Sequence, residues 1–91
     1  MTSLSLAPRL DLSQAGPLAT ALRAQTGGAL VLDASGVTHL GALGLQVLLS
    51  AAQSWRAAGQ SFTISPRSEA FDEALALFGV PLAELQSQEA A

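Results

Sequence analysis

The chain has no cysteine and no lysine, and few of its side chains carry a charge. Without cysteine it can form neither a disulfide framework nor a thiolate nucleophile, which suits a reducing compartment. Its four cations are scattered arginines, so it lacks the basic stripe typical of nucleic-acid binding, and we expect no nucleic-acid partner. Charged residues make up 12% of the chain, whereas about 25% is usual. Such a surface favours an apolar patch for a partner or for self-association, although Ala, Ser, Thr and Gln could cover it instead.

Long apolar runs are absent as well. Every apolar tract is interrupted well before the roughly 18 residues that a membrane span needs. The first residues lack the basic and apolar segments of a signal peptide. We therefore expect no membrane insertion and a cytoplasmic location. The length of 91 residues predicts a single domain over 1–91, and the 49% of hydrophobic residues can supply an efficient core.

Strand and helix patterns alternate along the chain. Strand character is found at residues 3–10, interrupted near Pro8, and at 29–32 and 61–65, which Pro66 closes. Residues 29–32 are continuously apolar, as in a strand covered on both faces. Helical spacing of apolar residues follows each strand, and these residues are Leu18, Ala21, Leu22, then Leu45, Leu48, Leu49, Ala52, Trp55, then Phe71, Leu75, Phe78. The β-α-β-α-β-α order predicts an α/β fold with a parallel or mixed sheet.

Polar and glycine residues predict where these helices begin and end. Asp11 or Ser13 can cap the first helix and Ser68 the third, because short polar side chains accept hydrogen bonds from the free amides there. Glycines predict the ends of the three helices, at residues 27–28, 59 and 79. Residues 82–86 predict a last short helical turn.

The segment 30–49 is the most informative part of the chain. It consists of an apolar strand, a tight loop around Gly36 and a strongly apolar helix. The pieces Asp-Ala-Ser-Gly-Val (33–37), Gly-Leu-Gln-Val-Leu (44–48), Ala-Gly-Gln (58–60), Ile-Ser-Pro (64–66) and Leu-Phe-Gly-Val (77–80) follow in order. Together they resemble the STAS domain, the fold of the anti-anti-sigma factors. The resemblance covers roughly residues 29–80 and implies a mixed sheet of about four strands with packed helices.

One short motif departs from the family pattern. STAS domains typically carry Asp-Ser-Ser-Gly or Asp-Thr-Ala-Gly where this chain has Gly-Ala-Leu-Gly at 41–44. In sporulation-type members a kinase phosphorylates the first Ser or Thr, and Ala42 occupies that position here. With Gly41 in place of the aspartate, the motif has no carboxylate of its own to orient a hydroxyl. The resemblance thus implies the scaffold without its usual phosphorylated hydroxyl.

Residues 41–48, 52–55, 61–63 and 71–72 further resemble small STAS proteins encoded in bacterial chemotaxis operons of alphaproteobacteria. This resemblance implies a signalling module whose partner is a histidine kinase, a phosphotransfer domain or a chemoreceptor-array protein. A homodimer stays open. Two alternatives are a STAS subunit of a lipid-transport ATP-binding-cassette complex and a regulator of the anti-anti-sigma type that binds a kinase-like anti-sigma factor.

No catalytic triad, paired acid and base carboxylates, glycine-rich phosphate loop or metal-ligand cluster can be assembled from the sequence. We therefore expect no enzyme, no cofactor and no metal site. We expect a partner to contact the loop 36–44 and the exposed face of the next helix. The candidate contact residues are Ser35, His39, Gly41, Ala42, Leu43 and Gln46.

Several side chains in this region have competing interpretations. Asp33 is interpreted as bonding the loop amides rather than as a phosphoryl acceptor, and Ser35 as a turn residue rather than a replacement phosphosite. The lone His39 has no partners for a metal site. Leu43 is either a docking point or part of the core, and Trp55 is either a core or an interface residue.

Overall fold

The computed structural model describes residues 2–87 as an α/β fold. In this part of the chain the elements are β1 (Thr2–Ser5), β2 (Arg9–Leu10), α1 (Leu12–Arg23), β3 (Leu30–Ala34), β4 (His39–Leu40), α2 (Ala42–Ala57), β5 (Phe62–Arg67), α3 (Glu69–Phe78) and a 3-10 helix (Leu82–Leu85). The α/β class and the β-α-β-α-β-α order are confirmed. The structure adds β2 and β4, each two residues long.

The strands form two sheets, in which every pair is parallel. β3 is the central strand of the main sheet, whose order is β1-β3-β5, and β2 pairs with β4 in a second, smaller sheet. The strand expected over residues 3–10 is therefore two strands in different sheets. The break falls at residues 6–8, where Pro8 has no amide to donate to a ladder. β5 continues past the expected end at Pro66 to Arg67, through a cis Ser65–Pro66 bond.

β3 lies at the centre of the core. Leu30, Leu32 and Ala34 are fully buried, whereas Val31 and Asp33 between them are half-buried. Helices and the neighbouring strands cover this central strand, as its apolar sequence predicts. The carboxyl end of β3 therefore presents Asp33 beside the loop that leads to α2.

Two of the expected helix caps are confirmed. The Asp11 carboxylate accepts a hydrogen bond from the Ser13 amide (3.2 Å) at the start of α1. The Ser68 hydroxyl accepts one from the Phe71 amide (3.1 Å) at the start of α3. α3 ends at Gly79, whose φ of 71° is in the left-handed region that favours glycine. α1 ends at Arg23, earlier than its glycine signal predicts.

Helices α1 and α2 lie side by side and run in the same direction. At their amino-terminal ends Gly44 contacts Leu10, which precedes α1. At their carboxyl-terminal ends the Trp55 indole donates a hydrogen bond to the carbonyl of Gly28 (2.8 Å), just beyond α1. Trp55 is buried and its ring lies 5.1 Å from that of Phe62. Trp55 is therefore a core residue, which decides between its two interpretations.

The buried face of α3 is shorter than its apolar spacing predicts. Phe71 and Leu75 are buried as expected. The expectation that Phe78 is buried is wrong, because its side chain is 44% exposed. Phe78 is the last residue of the helix, where the chain turns away at Gly79. The helical spacing is correct there, but burial also requires a facing element.

The 3-10 helix expected near residues 82–86 is present and covers part of β5. Its Leu85 is fully buried, and Ser87 forms an antiparallel bridge with Phe62. The side-chain oxygen of Gln86 accepts a hydrogen bond from the Ile64 amide (3.0 Å). Because β5 is an edge strand of the main sheet, these contacts satisfy amides that the edge would otherwise expose.

Candidate functional site

The loop after β3 is ordered by Asp33. Its carboxylate accepts hydrogen bonds from the Ser35 hydroxyl (2.6 Å) and the Ser35 amide (2.9 Å). The hydroxyl contact, followed by the amide contact, lowers the pKa of Asp33 below its ordinary value. The interpretation of Asp33 as a residue that bonds a loop amide is confirmed. The Ser35 hydroxyl is exposed, but it is engaged as a donor to Asp33.

The rest of the loop is fixed from two sides. The amide and the hydroxyl of Thr38 donate to the carbonyl oxygen of Pro8 at 2.7 and 3.1 Å. The Ser68 hydroxyl donates to the carbonyl oxygen of Val37 (2.5 Å) while it caps α3. Val37 itself is buried. The loop is thus attached both to the segment before β2 and to the start of α3, which limits its freedom before a partner arrives.

Two glycines determine how α2 begins. Gly41 is the N-cap residue, and it provides no capping side chain. Its amide donates to the carbonyl oxygen of Leu10 (2.9 Å). Gly44 lies against the same backbone, and a Cβ added there would lie 2.5 Å from the Leu10 oxygen. The start of α2 therefore rests directly on β2, at a distance that only glycine permits at position 44.

Most of the candidate contact residues meet around this helix start. Ala42 and Gln46 are exposed, and the side chain of Leu43 is 43% exposed. His39 is exposed in β4, and its Nε2 lies 3.6 Å from the point where a Cβ on Gly41 would stand. Leu43 therefore belongs to the surface rather than the core. Ser35 directly follows β3, at the other end of the loop from Gly41.

A groove between α1 and α2 continues from this surface. Its volume is about 310 Å³, and its lining is mainly apolar. Leu43 and Gln46 line its amino-terminal end, and among residues 2–87 Arg23 is its one charged lining residue. None of the α1 residues that line this groove is among the contact residues predicted from the sequence. The spacing of Ala15 and Ala19, four residues apart on one helix face, is the signal that could have located it.

Neither a metal-binding cluster nor a membrane-spanning helix is found among the described residues. Within residues 2–87, no three side chains of the His, Cys, Asp or Glu type lie close enough together to hold a metal ion. In the same range, none of the helices combines the length and the apolar character that crossing a bilayer requires. Around the start of α2 the structure shows an exposed leucine, a helix start without a side-chain cap and the exposed polar side chains of His39 and Gln46.

A protein-family model described as "Mlab, STAS domain" matches residues 1–82. The match includes all the strands and α-helices named above, the loop 35–41 and the groove. No match is found among the curated proteins.

Proposed function

Because the chain belongs to the STAS domain family, we propose that it is a non-catalytic protein-interaction module that docks its partner at the start of α2. The proposed docking surface consists of His39, Gly41, Ala42, Leu43 and Gln46, with Ser35 at its edge. The observation that carries this proposal is the exposure of Leu43 on a helix start that β2 and the loop hold in place. The centre of a protein interface is commonly apolar, and Leu43 offers an exposed apolar side chain for it.

The rigidity of this region favours binding. Hydrogen bonds to Pro8 and from Ser68 restrain the loop, and Gly44 places α2 directly against β2. A surface that is already ordered loses less conformational entropy on association than a flexible one. Less of the free energy gained by burying Leu43 would then be offset by the cost of ordering the surface.

Control by phosphorylation at the motif is not part of this proposal. Ala42 has only a methyl group at the position where the resemblance places the phosphorylated Ser or Thr. A phosphate could still meet the free amides of an uncapped helix start, but it would have no covalent attachment there. Binding would instead follow the abundance of the protein or the state of its partner.

For the pathway, we propose a cytoplasmic role in bacterial chemotaxis signalling, supported by the resemblance of residues 41–48 to the chemotaxis-operon STAS proteins. The partner is then a histidine kinase, a phosphotransfer domain or a chemoreceptor-array protein. The family match is equally compatible with a subunit of a lipid-transport ATP-binding-cassette complex and with an anti-anti-sigma type regulator. The identity of the captured partner distinguishes these three roles.

The test is affinity capture from native lysate with wild type, Leu43→Asp and Ala83→Asp. Ala83 is exposed on the 3-10 helix and lies outside both the proposed surface and the groove, so its variant is the control for adding a carboxylate to an exposed apolar position. We expect wild type and the control to recover the same partner and Leu43→Asp to lose it. Equal recovery by all three proteins would rule out the docking surface. Recovery of a transport ATPase or permease would replace the chemotaxis role with the transport role.

A further inference from the structure

The groove between α1 and α2 has room for apolar side chains that the described part of its own chain does not supply. A buried cavity of about 150 Å³ accommodates a benzene molecule, and this open groove has about twice that volume, at about 310 Å³. Ala15, Ala19 and Ala51 keep it wide because their side chains end at Cβ.

A matching apolar protrusion lies at the end of α3. Leu77 is 89% exposed and Phe78 is 44% exposed, and the two residues are adjacent in the last turn. Neither lines the groove of its own molecule, so α3 does not fill it from within. The structure therefore presents an apolar recess and an apolar protrusion on separate surfaces of one chain.

The charges around these two features are complementary. In the part of the chain that the structure describes, Arg23 is the one charged residue that lines the groove, and it lies at the groove's carboxyl-terminal end. α3 carries three acidic residues and no basic one. Among them, Glu73 lies one turn before Leu77, so both occupy the same face of the helix. A helix that places Leu77 in the groove can thus place a carboxylate near the Arg23 guanidinium.

We propose that the groove of one copy of this chain binds the end of α3 from a second copy. Leu77 and Phe78 enter the groove, and Glu73 faces Arg23. Since Leu43 and Gln46 line the same groove, a seated copy covers part of the docking surface. Self-association would then compete with partner binding, which goes beyond the proposed function.

The expected contact is weak. A helix of ten residues entering one groove buries less than the roughly 800 Å² per partner of a standard stable interface. The recess and the protrusion are different surfaces, so two copies either exchange them reciprocally in an isologous dimer or join head to tail in a heterologous contact that extends to further copies. In both cases the association depends on protein concentration.

The test is sedimentation velocity of the full chain between about 10 µM and about 1 mM, a range that covers weak contacts. We expect the mean mass of wild type to rise with concentration. Arg23→Glu and Glu73→Arg should each lower the association constant about tenfold through like-charge repulsion. The double variant Arg23→Glu/Glu73→Arg should restore association, because it exchanges the two charges.

Two further variants isolate the contact. Leu77→Asp should abolish the association. Glu84→Arg reverses a charge on the exposed 3-10 helix, as Glu73→Arg does on α3, and it should leave the association unchanged. Wild type with the mass of one chain throughout, or a double variant without recovery, would overturn the proposal.

A dilution series followed by amide chemical shifts adds a measurement that needs no variant. Shifts confined to surfaces other than the groove and the end of α3 would also overturn it. No partner is present in these assays, so their outcome is independent of the proposed docking function.

Discussion

Gly44 of α2 lies so close to Leu10 of β2 that a Cβ on Gly44 would stand 2.5 Å from the Leu10 carbonyl oxygen and 2.9 Å from the Leu10 Cβ. The same carbonyl oxygen accepts the hydrogen bond of the Gly41 amide. The carbonyl group of Leu10 thus fixes the position of Gly41, just before α2, and the position of the first turn of α2. The position of Leu43 on the surface depends on this contact.

Gly44→Ala should destabilise the protein by about 1–3 kcal/mol, because the added methyl group overpacks against backbone that cannot move without shifting β2. The clash should outweigh the advantage of about 1 kcal/mol that alanine has over glycine inside a helix. The matched control is Gly16→Ala in α1, where an added Cβ meets nothing within 4 Å apart from its neighbours along the chain. That variant should stay within about 0.5 kcal/mol of wild type, because the Cβ of a residue before Pro17 offsets the gain that alanine has over glycine in a helix. Urea unfolding measures both, and a gain in stability for Gly44→Ala would contradict the close approach.

Leu43 and Leu45 should respond differently to the same substitution. Leu43 is 43% exposed, so Leu43→Asp should change the free energy of unfolding by only about 0.5 kcal/mol. Its carboxylate would also lie in the first turn of α2, where negative charge is favourable. Leu45 is buried, and Leu45→Asp should cost more than about 4 kcal/mol because it places a charge in the core. Thermal unfolding followed by circular dichroism compares them, and similar losses would place Leu43 in the core.

Local chemistry accounts for the parts of the fold that could be predicted. The strand, loop and helix of residues 30–49 have strong and distinct patterns, and Asp11 and Ser68 form caps by contacts within a few residues. The buried face of α2 follows from the helical spacing of its apolar residues. The hydrogen bond that Asp33 accepts in the adjoining loop follows from its position just before Ser35 and Gly36. These features depend on neighbours in sequence, which a single chain displays.

The features that escaped prediction depend on distant neighbours. β2 and β4 have two residues each, too few for a strand pattern to be recognised. The groove results from the parallel arrangement of α1 and α2, which neither helix encodes alone. Phe78 follows the helical spacing, yet its exposure is decided by what lies opposite the last turn of α3. Leu43 likewise needed the position of β2 before its exposure could be assigned.

Gln86 should contribute to stability by satisfying the edge of β5. Its side-chain oxygen accepts a hydrogen bond from the part-buried Ile64 amide (3.0 Å). Gln86→Ala leaves that amide without this partner and should cost about 1–3 kcal/mol. Gln53→Ala is the control, because Gln53 is exposed on α2 and the change should fall within about 0.5 kcal/mol. Urea unfolding distinguishes the two, and hydrogen exchange at the Ile64 amide should be faster in Gln86→Ala alone. Equal stability of both variants would mean that water replaces the Gln86 oxygen without loss.

The pKa of Asp33 provides a test of the loop that precedes the docking surface. The Ser35 hydroxyl is the largest cause of the lowered pKa, followed by the Ser35 amide. Ser35→Ala removes the hydroxyl and leaves the amide, so the pKa of Asp33 should rise toward its ordinary value of about 3.9. Asp11 serves as an internal control, since its pKa is lowered chiefly by a hydrogen bond from the Ser13 hydroxyl, which the variant retains. Carboxyl carbon shifts followed by NMR against pH report both residues in one titration.

The same pKa direction fixes how stability should depend on pH. A carboxyl whose pKa is lower in the folded chain stabilises the fold above the unfolded pKa, and that contribution is lost as pH falls through the lowered folded value. The difference in stability between wild type and Ser35→Ala should therefore be constant near neutral pH and should shrink below about pH 4. A difference that grows on acidification would mean that Ser35 acts on another group. If the pKa of Asp33 is the same in Ser35→Ala as in wild type, the amide of residue 35 alone orders the loop. The Ser35 hydroxyl of the wild-type protein is then free to contact a partner.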